Sequence, residues 1–315
     1  MRDLNTQPVK TLFLGTDWES VETLRSLLED KRFDIVGVIT TVDKPVGRKQ
    51  ILTPSKVKEF ALENGIEIFH TEKQKEKYQQ ALEKFKPELI VCKAFGEILP
   101  DFFINYPKYK SINIHFSLLP KYRGAVPIQK AILEGEKETG ISIMVMSAGL
   151  DEGDILKTIK EPIYETDTNL TLRKRLVEIS AQSIGNILEQ WINGNIQPQK
   201  QDSSKATYCW QKDISKENAQ IQWEVMEPEY IERLVRAMLP WPIAWCIWEN
   251  KRIQILKSTL VKKESNRKAG ILFTEENRLF FSTKNPTLCL EILQLKPEGK
   301  SIMTPEEYIH GRNRN

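Results

Sequence analysis

The sequence predicts an α/β protein in which a parallel sheet, covered by helices on both faces, is followed by a small antiparallel barrel. Two observations carry this prediction. Up to about residue 193, short apolar segments alternate with stretches of helical periodicity, which is typical of parallel strands joined by helices. Beyond a polar stretch, short strands follow one another with one helix among them, which favours an antiparallel barrel. We therefore predict a first domain over 1–193, a linker over 194–206 and a second domain over 207–315.

The first domain begins with the apolar strand TLFLG, and Asp17 behind it can cap a helix with leucines at helical spacing. FDIVGVIT is a second strand. The helix in TPSKVKEFALENG has Thr53 as its predicted N-cap and Pro54 at its first position. IEIF, a helix over 74–85 and ELIVCKAFG continue the alternation, and SINIHF and GISIMVMS add two strands before a long helix over 169–191.

The second domain contains seven short segments that predict strands, with one helix over 228–238 inserted among them. These segments are TYCWQK, AQIQWE, IAWCIWE, KRIQILKSTL, GILFT, RLFFSTK and TLCLEILQL. The net charge of +3 belongs to this part of the chain, which holds 17 Lys and Arg against 14 Asp and Glu from Thr207 onward. Such an excess can attract a polyanion, or it can be an uneven solvated surface.

Composition narrows the class of protein. The chain is 40% hydrophobic and 28% charged, and it has no uncharged apolar run of the ~18 residues that a membrane helix needs. The N-terminal stretch does not have the pattern of a secretion signal. The four cysteines have no paired spacing, which fits free thiols. We therefore expect a cytoplasmic protein with no membrane contact.

The segment SINIHF predicts a strand with two chemically different faces. Every second residue from Ile112 to Phe116 is apolar, so Asn113 and His115 share the opposite face. The strand stops at SLLP, and ligands of parallel sheets bind near such carboxyl ends. An amide donor and an imidazole with an ordinary pKa of ~6.5 can together stabilise an oxyanion on a carbonyl. The alternative is a buried histidine that hydrogen bonds satisfy.

The segment GLDEGD, after the next predicted strand, offers a carboxylate at the corresponding end of the sheet. Asp151 is the first candidate to hold the imidazole and accept a proton, and Asp154 is the second; the alternative is a polar turn. The sequence has no GxSxG, no GxGxxG after the first strand and no P-loop, and its three histidines are too dispersed to suggest a metal site. The residues therefore predict acyl-type transfer without a covalent nucleophile.

These motifs resemble those of a known family. The stretch INIHFSLLPKYRGAVPIQKAILEGEKETGISIMVMSAGLDEGDIL is similar to the core of the folate-dependent formyltransferases, and FLGT, AFGEILP and LQLKPEGKSIM extend the likeness over nearly the whole chain. TVDKPVGRKQ, TYCWQKDISKENAQIQW and RAMLPWPIAW resemble the members that act on methionyl-tRNA. The resemblance implies a Rossmann-like catalytic domain, an OB-like tRNA-binding domain, and transfer of the formyl group of 10-formyltetrahydrofolate to the α-amino group of methionine on initiator tRNA.

The resemblance also implies a catalytic set and a folate site. Asn113 and His115 would stabilise the oxyanion, while Asp151 would orient His115, favour its protonated form and help to remove the proton of the amine. Two segments would line the folate site, and their residues are Ser117, Leu118, Leu119 and Pro120, and Phe95, Gly96, Ile98 and Leu99.

For the tRNA, the resemblance implies that the loop 41–53 reaches the acceptor end and that the second domain holds the phosphates. The candidate contacts are Lys44, Arg48 and Lys49 in the loop, and Arg233 and Arg236 on the inserted helix. We expect a monomer. The sequence departs from the family pattern at Asp17, at Phe116 and in KAFG, and Phe116 could narrow the folate pocket.

Three alternatives to this function are open. A sugar-nucleotide N-formyltransferase would use the same folate donor, but the basic loop and the C-terminal motifs argue against it. A hydrolase that releases formate would have to exclude amines. A catalytically silent tRNA-binding protein would have no need of the Asn113, His115 and Asp151 set.

Overall fold

The computed structural model describes residues 7–47 and 49–312, with only the backbone at Arg312. Contacts divide the chain into two compact units. The first unit comprises the chain up to Arg123, Gly140–Glu161 and Lys174–Tyr208; the second comprises Gly124–Thr139, Pro162–Arg173 and the chain from Cys209. Because these units alternate along the chain, the domain boundaries at 193 and 207 remain predictions.

The elements follow one another in the order β1 (Val9–Gly15), α1 (Trp18–Glu29), β2 (Phe33–Ile39), β3 (Lys44–Val46), β4 (Ile51–Thr53), α2 (Lys56–Glu63), β5 (Ile68–Phe69), α3 (Lys75–Phe85), β6 (Leu89–Lys93), α4 (Asp101–Asn105), β7 (Ser111–His115), β8 (Arg123–Gly124), α5 (Pro127–Leu133), β9 (Glu138–Val145), β10 (Ile155–Pro162) and α6 (Asn169–Ile192). The chain continues with β11 (Tyr208–Cys209), α7 (Pro228–Ala237), β12 (Trp245–Trp248), β13 (Lys251–Lys262), β14 (Leu272–Glu275), β15 (Arg278–Ser282), β16 (Leu288–Pro297) and α8 (Pro305–Arg312).

Among the residues described, the first unit is built on a seven-stranded sheet with the order β10-β9-β7-β6-β1-β2-β5. The strands β1, β2, β5, β6 and β7 pair in parallel, which confirms the predicted parallel sheet. After β1, the chain adds β2 and β5 on one side of this strand, and it then adds β6 and β7 on the other side. The carboxyl ends of β1 and β6 therefore form a topological switch point, where sheets of this kind bind ligands.

Strand β9 departs from the prediction, because it runs antiparallel to β7. Ile112 lies opposite Val145, and His115 lies opposite Ser142. The end of β9 therefore lies beside the start of β7, whereas the sequence interpretation placed GLDEGD at the corresponding end of a parallel sheet. The loop after β9 has to turn back along β7 if its carboxylates are to reach Asn113 and His115.

The interior of the first unit is apolar, as the continuous hydrophobic runs of β1 and β6 predict. Leu12, Leu14 and Ile90 of these strands pack with Tyr78 of α3 and Phe103 of α4. Burial of each such apolar side chain stabilises the fold by about 1.5–3 kcal/mol. The site residues are thus displayed from a rigid sheet.

The ends of two helices test the local predictions. Asp17 caps α1 as predicted, and its side chain accepts a hydrogen bond from Trp18 N at 2.7 Å. The predicted cap Thr53 is wrong, because this residue pairs with Lys44 in the hairpin of β3 and β4. Ser55 caps α2 instead and accepts from the backbone of the helix.

In the described part of the chain, the second unit holds a five-stranded sheet with the order β12-β13-β16-β15-β14. Its pairs are antiparallel, which confirms the predicted change of strand arrangement. Helix α7 begins at Pro228 as predicted. Trp223 stacks on Phe281 with ring centroids 4.5 Å apart, in the interior of this unit. Of the helices described, none is long and apolar enough to cross a membrane.

Candidate active site

Strand β7 places Asn113 and His115 on one face, as the alternation predicts. Ile112 and Ile114 are buried on the other face, and Phe116 continues that row after the strand. Asn113 is half-buried, whereas His115 is only 6% exposed. Because β7 lies between β6 and β9, its backbone is held on both sides and these two side chains start from fixed positions.

Asp151 faces both of these side chains. Its Oδ1 accepts a hydrogen bond from Asn113 Nδ2 at 3.3 Å, and its Oδ2 lies 3.5 Å from His115 Nδ1. The loop after β9 turns back to bring it there and is closed by a hydrogen bond from Val145 N to the carbonyl of Asp154 at 2.9 Å. Asp151, and not the alternative Asp154, is therefore the carboxylate beside the imidazole.

The other ring nitrogen of His115 faces a backbone carbonyl. Nε2 lies 2.9 Å from the oxygen of Tyr122. Because a carbonyl can only accept, Nε2 carries a proton, and Nδ1 is the basic nitrogen of the neutral ring. The site therefore presents a basic nitrogen next to a carboxylate.

Opposing effects act on the charge state of His115, and Asp151 is the one that favours the protonated form most. Burial lowers the pKa of His115 from its usual 6.5; the Asp151 carboxylate and the Tyr122 carbonyl raise it, and the charge of Lys93 lowers it. The attraction of Asp151 for an imidazolium is outweighed, so His115 is mainly neutral near pH 7. A neutral imidazole can accept a proton at Nδ1.

Both partners of His115 have a left-handed backbone. The φ angle is 49° at Asp151 and 60° at Tyr122, and neither residue is a glycine. Such a conformation costs about 1–3 kcal/mol and persists only where surrounding contacts hold it. In the same loop, a Cβ at Gly153 would lie 1.8 Å from the carbonyl oxygen of Val145, so this position requires glycine.

A buried ion pair lies next to β7. Lys93 is 3% exposed, and its Nζ lies 3.9 Å from Glu19 and donates to the carbonyl of Ile114 at 3.2 Å. The same Nζ lies 3.0 Å from the centre of the Phe116 ring, a cation–π contact. Phe116 and the lysine of KAFG thus contact each other, and Phe116 faces away from Asn113 and His115.

The predicted folate segment around Phe95 lies at the switch point, beside an open cleft of ≈ 580 Å³ that Phe95 and Gly96 line. Gly96 has a φ of 80° and open space where a Cβ would stand, so its backbone is accessible from the cleft. Ile98 is 94% exposed, and Leu99 is half-buried. The cleft is also bordered by Thr16, Asp17, Thr41 and Lys44.

The second predicted folate segment, Ser117–Pro120, is a turn whose polar groups are bonded within the protein. Ser142 Oγ donates to the carbonyl of Ser117 at 2.7 Å and accepts from Leu119 N at 3.1 Å. Ser117 and Leu119 are buried, whereas Leu118 and Pro120 are partly exposed. A ligand would therefore meet this turn through Leu118 and Pro120.

The predicted basic loop forms the hairpin of β3 and β4. Lys44 and Lys49 are exposed, and Arg48 lies outside the described residues. The one acidic residue of the loop, Asp43, forms an ion pair with Lys58 at 2.7 Å. The hairpin also exposes three apolar side chains, which are Val46, Ile51 and Leu52. It presents an apolar surface with lysines at its edge.

The arginines of α7 are bonded within the second unit. Arg236 forms a two-pronged ion pair with Glu232, at 2.7 and 3.0 Å, and donates to the carbonyl of Asp167 at 2.7 Å. Arg233 Nε donates to the carbonyl of Leu133 at 2.9 Å. These contacts hold α7 in its unit, and the predicted phosphate contacts of both arginines stay a prediction.

Two features around His115 are missed by the sequence interpretation. A lysine inside the apolar run LIVCK is a signal that could have predicted the buried pair with Glu19, because a charge in a buried strand needs a partner. The Tyr122 carbonyl leaves no such signal, since every residue has a carbonyl.

Comparison with known proteins assigns the family. The family described as "Formyl transferase" matches residues 9–187, and "Formyl transferase, C-terminal domain" matches residues 213–313. The chain belongs to the formyl transferase family. Among curated relatives, the methionyl-tRNA formyltransferase of Halalkalibacterium halodurans is 39% identical over 305 residues, which cover 96% of this chain and 95% of that protein. The methionyl-tRNA formyltransferase of Bacillus subtilis is 38% identical over 305 residues, covering 96% and 94%.

Solved structures share the formyl transferase fold. WlaRD, a sugar 3N-formyl transferase solved with dTDP and 5-N-formyl-THF, matches with a TM-score of 0.68 at 23% identity over 94% of this chain and 100% of that chain. HypX from Aquifex aeolicus, solved with tetrahydrofolic acid, matches with a TM-score of 0.65 at 15% identity over 96% of this chain and 47% of that one. At such identities the likeness concerns the fold. Within the residues described, no group of three or more His, Cys, Asp or Glu could hold a metal ion.

Proposed function

We propose that this formyl transferase moves the formyl group of 10-formyltetrahydrofolate to the α-amino group of methionine on initiator tRNA, for translation initiation. The observation that carries the chemistry is the cluster of Asn113, His115 and Asp151 at the end of β7. Relatives named methionyl-tRNA formyltransferase, at 39% identity over 96% of the chain, support the acceptor. A cytoplasmic monomer is part of the same proposal.

Asn113 would hold the formyl oxygen. Its amide has two N–H groups, and one of them is bonded to Asp151. The second can donate to the oxygen on which negative charge develops when the amine attacks the formyl carbon. A donor held in place before the reaction costs no reorganisation when that charge appears.

His115, with Asp151 beside it, would transfer the proton from the attacking amine to the departing nitrogen. Burial lowers the pKa of His115, so the ring is neutral and its Nδ1, beside the Asp151 carboxylate, can take the proton that the attacking amine loses. The imidazolium so formed lies beside the Asp151 carboxylate, which stabilises its charge. It then returns the proton to the departing nitrogen as the old carbon–nitrogen bond breaks. The reaction therefore needs no outside acid or base.

The residues at the switch point fit a folate, which supplies the formyl group when bound. A flat ring needs apolar contacts on its faces and backbone polar groups at its edge. Phe95 borders the cleft, and the backbone at Gly96 is open to it. Ile98, Leu99, Leu118 and Pro120, which are at least partly exposed, would supply further apolar contacts.

The hairpin of β3 and β4 would engage the acceptor end of the tRNA. Lys44 borders the cleft, and Lys49 lies at the exposed turn. Lysine and arginine side chains bind phosphates, while exposed apolar residues such as Leu52 can contact bases that are no longer stacked. The basic excess after Thr207 would hold the body of the tRNA through its phosphates.

One experiment tests both the reaction and the acceptor. The purified protein is given 10-formyltetrahydrofolate with Met-tRNA or with an amino sugar nucleotide, and N-formyl product and free formate are measured in each. We expect formyl-Met-tRNA and no formylated sugar. Formylated sugar alone would retain the proposed chemistry and overturn the proposed acceptor, whereas free formate without an acceptor would indicate a hydrolase.

A further inference from the structure

Both left-handed residues that contact His115 are held by one stretch of chain, Gln201–Thr207. The sequence interpretation assigns most of this stretch to a linker between domains. In the structure it belongs to the first unit, and Gln199, just before it, pairs with Ile155 through two backbone hydrogen bonds of 2.8 and 2.9 Å.

The side chain of Gln201 joins the Asp151 loop to a buried arginine. Its Nε2 donates to the carbonyl of Asp151 at 2.8 Å and to that of Gly153 at 2.7 Å. Its Oε1 accepts from Nη2 and Nε of Arg123 at 2.8 and 3.1 Å. Arg123 is 2% exposed and has only donors, so the amide oxygen must face it and the amide nitrogen must face the two carbonyls.

Thr207 holds the other partner of His115. Its Oγ1 accepts a hydrogen bond from Tyr122 N at 2.8 Å, and its carbonyl accepts from Arg123 N at 2.9 Å. Its own N–H donates to the carbonyl of Pro120 at 3.3 Å. The two groups that flank the imidazole are thus tied to residues only a few positions apart in the chain.

The topology of the sheet explains why such ties are needed. Because β9 is antiparallel to β7, the end of β9 does not by itself carry Asp151 to His115. The carboxylate reaches the imidazole through a loop with a left-handed residue, and a misplacement of about 1 Å in such a site can reduce the rate about 100-fold.

We propose that Gln201 is a positioning residue of the transfer reaction, which holds the Asp151 carboxylate against Asn113 and His115 without touching the substrate. This proposal rests on the proposed function of that site. It also assigns Arg123 the task of orienting the Gln201 amide.

The first test uses Gln201→Glu, which keeps an oxygen for Arg123 but sets a second oxygen against the carbonyls of Asp151 and Gly153. We expect kcat to fall about 10–100-fold, as is typical when a partner of a catalytic group is removed. The KM values for the donor and for Met-tRNA should stay within about twofold, because no substrate contact is lost. Gln199→Glu makes the same chemical change on an exposed side chain and should keep the wild-type kcat. An unchanged kcat in Gln201→Glu, or an equal fall in Gln199→Glu, overturns the proposal.

The second test does not depend on turnover. Gln201→Ala removes both donors without adding a charge, and the His115 ring is titrated by NMR in this variant and in the wild type. We expect a lower pKa of His115 in the variant, because the Asp151 carboxylate is the group that raises it most. An unmoved pKa overturns the proposal. If the wild type forms no formyl-Met-tRNA, the proposed function fails, and this titration still decides whether Gln201 positions Asp151.

Discussion

The face of β7 that carries Asn113 and His115 belongs to the same unit as the hairpin of β3 and β4, and the two regions are built in opposite ways. His115 is buried, and each of its ring nitrogens faces a fixed group. The hairpin exposes its lysines, and Val46, Ile51 and Leu52 are more than half exposed. The contacts around His115 are formed before a substrate arrives, whereas the hairpin presents exposed side chains that a ligand can contact.

The difference suits the ligand proposed for each region. A formyl group is small, and the charge that develops on it lasts only for the reaction, so its donors must be fixed beforehand. The acceptor end of the tRNA, the proposed ligand of the hairpin, carries charge along its length, so exposed lysines can bind it in water at a range of geometries. Substitutions in the two regions should therefore change different kinetic constants.

The largest effect is expected at Asp151. Asp151→Ala removes the partner of both Asn113 and His115, so we expect formyl transfer to fall about 1000-fold, within the range that general acid–base groups contribute. The affinity for Met-tRNA should be retained. Single-turnover rates and tRNA binding are measured on the same preparation. Asp154→Ala, in the same loop, is the control, and a normal rate in Asp151→Ala would remove this residue from the mechanism.

Arg236→Ala tests whether Arg236 stabilises the fold through its internal contacts or binds a phosphate of the tRNA. Arg236→Ala breaks the contacts to Glu232 and Asp167, so we expect the free energy of unfolding to fall by about 1–3 kcal/mol. Urea unfolding measures this, and tRNA binding is followed as a function of salt. Unchanged stability with a smaller salt dependence would instead support the predicted phosphate contact.

A substitution at the predicted tRNA contact Arg48 should act on the tRNA alone. For Arg48→Ala we expect kcat/KM for Met-tRNA to fall about tenfold, because the proposed function gives Arg48 one charged contact to the acceptor end. The KM for the folate donor should not change. Lys31→Ala removes an exposed charge elsewhere in the first unit and serves as the control. An unaltered kcat/KM for the tRNA in Arg48→Ala would leave the loop without its proposed role.

The smallest effect concerns the charge state of His115. Lys93→Met combined with Glu19→Gln removes a buried ion pair without leaving one charge alone. The pKa of His115 should rise, because the charge of Lys93 lowers it, and NMR titration measures the change.

In the wild type, the low pKa of His115 contributes stability that is present above the unfolded value of about 6.5 and is lost as the pH falls towards the folded value. The pH range over which acid destabilises the protein through His115 should therefore be narrower in the double variant. A fall in the pKa of His115 would contradict the effect assigned to Lys93.

The sequence predicts the placement of Asn113 and His115 on one face of β7 because the alternation rule is local. Alternation in SINIHF puts Asn113 and His115 on one side, and a resemblance over nearly the whole chain identifies Asp151. Two strand arrangements, parallel in the first unit and antiparallel in the second, also follow from the pattern of elements.

Features that depend on distant parts of the chain are not predictable in this way. Strand β9 has the same apolar pattern whether it runs parallel or antiparallel, so its direction could not be inferred. The sequence predicts Thr53 as the cap of α2, because the short, exposed strands of the hairpin that contains Thr53 leave no apolar pattern in the sequence. Gln201 lies in a polar segment that has no periodicity, and only the fold brings it to Asp151.

Two contacts described above also limit how far the enzyme can be shortened. They are the backbone pairing of Gln199 with Ile155 and the hydrogen bond that Thr207 Oγ1 accepts from Tyr122 N. A fragment that stops at residue 193 would contain every strand of the seven-stranded sheet. It would nevertheless lack Gln201 and Thr207, which hold the residues on both sides of the His115 ring. A minimal catalytic fragment has to extend through Tyr208, although this tail adds little to the hydrophobic interior.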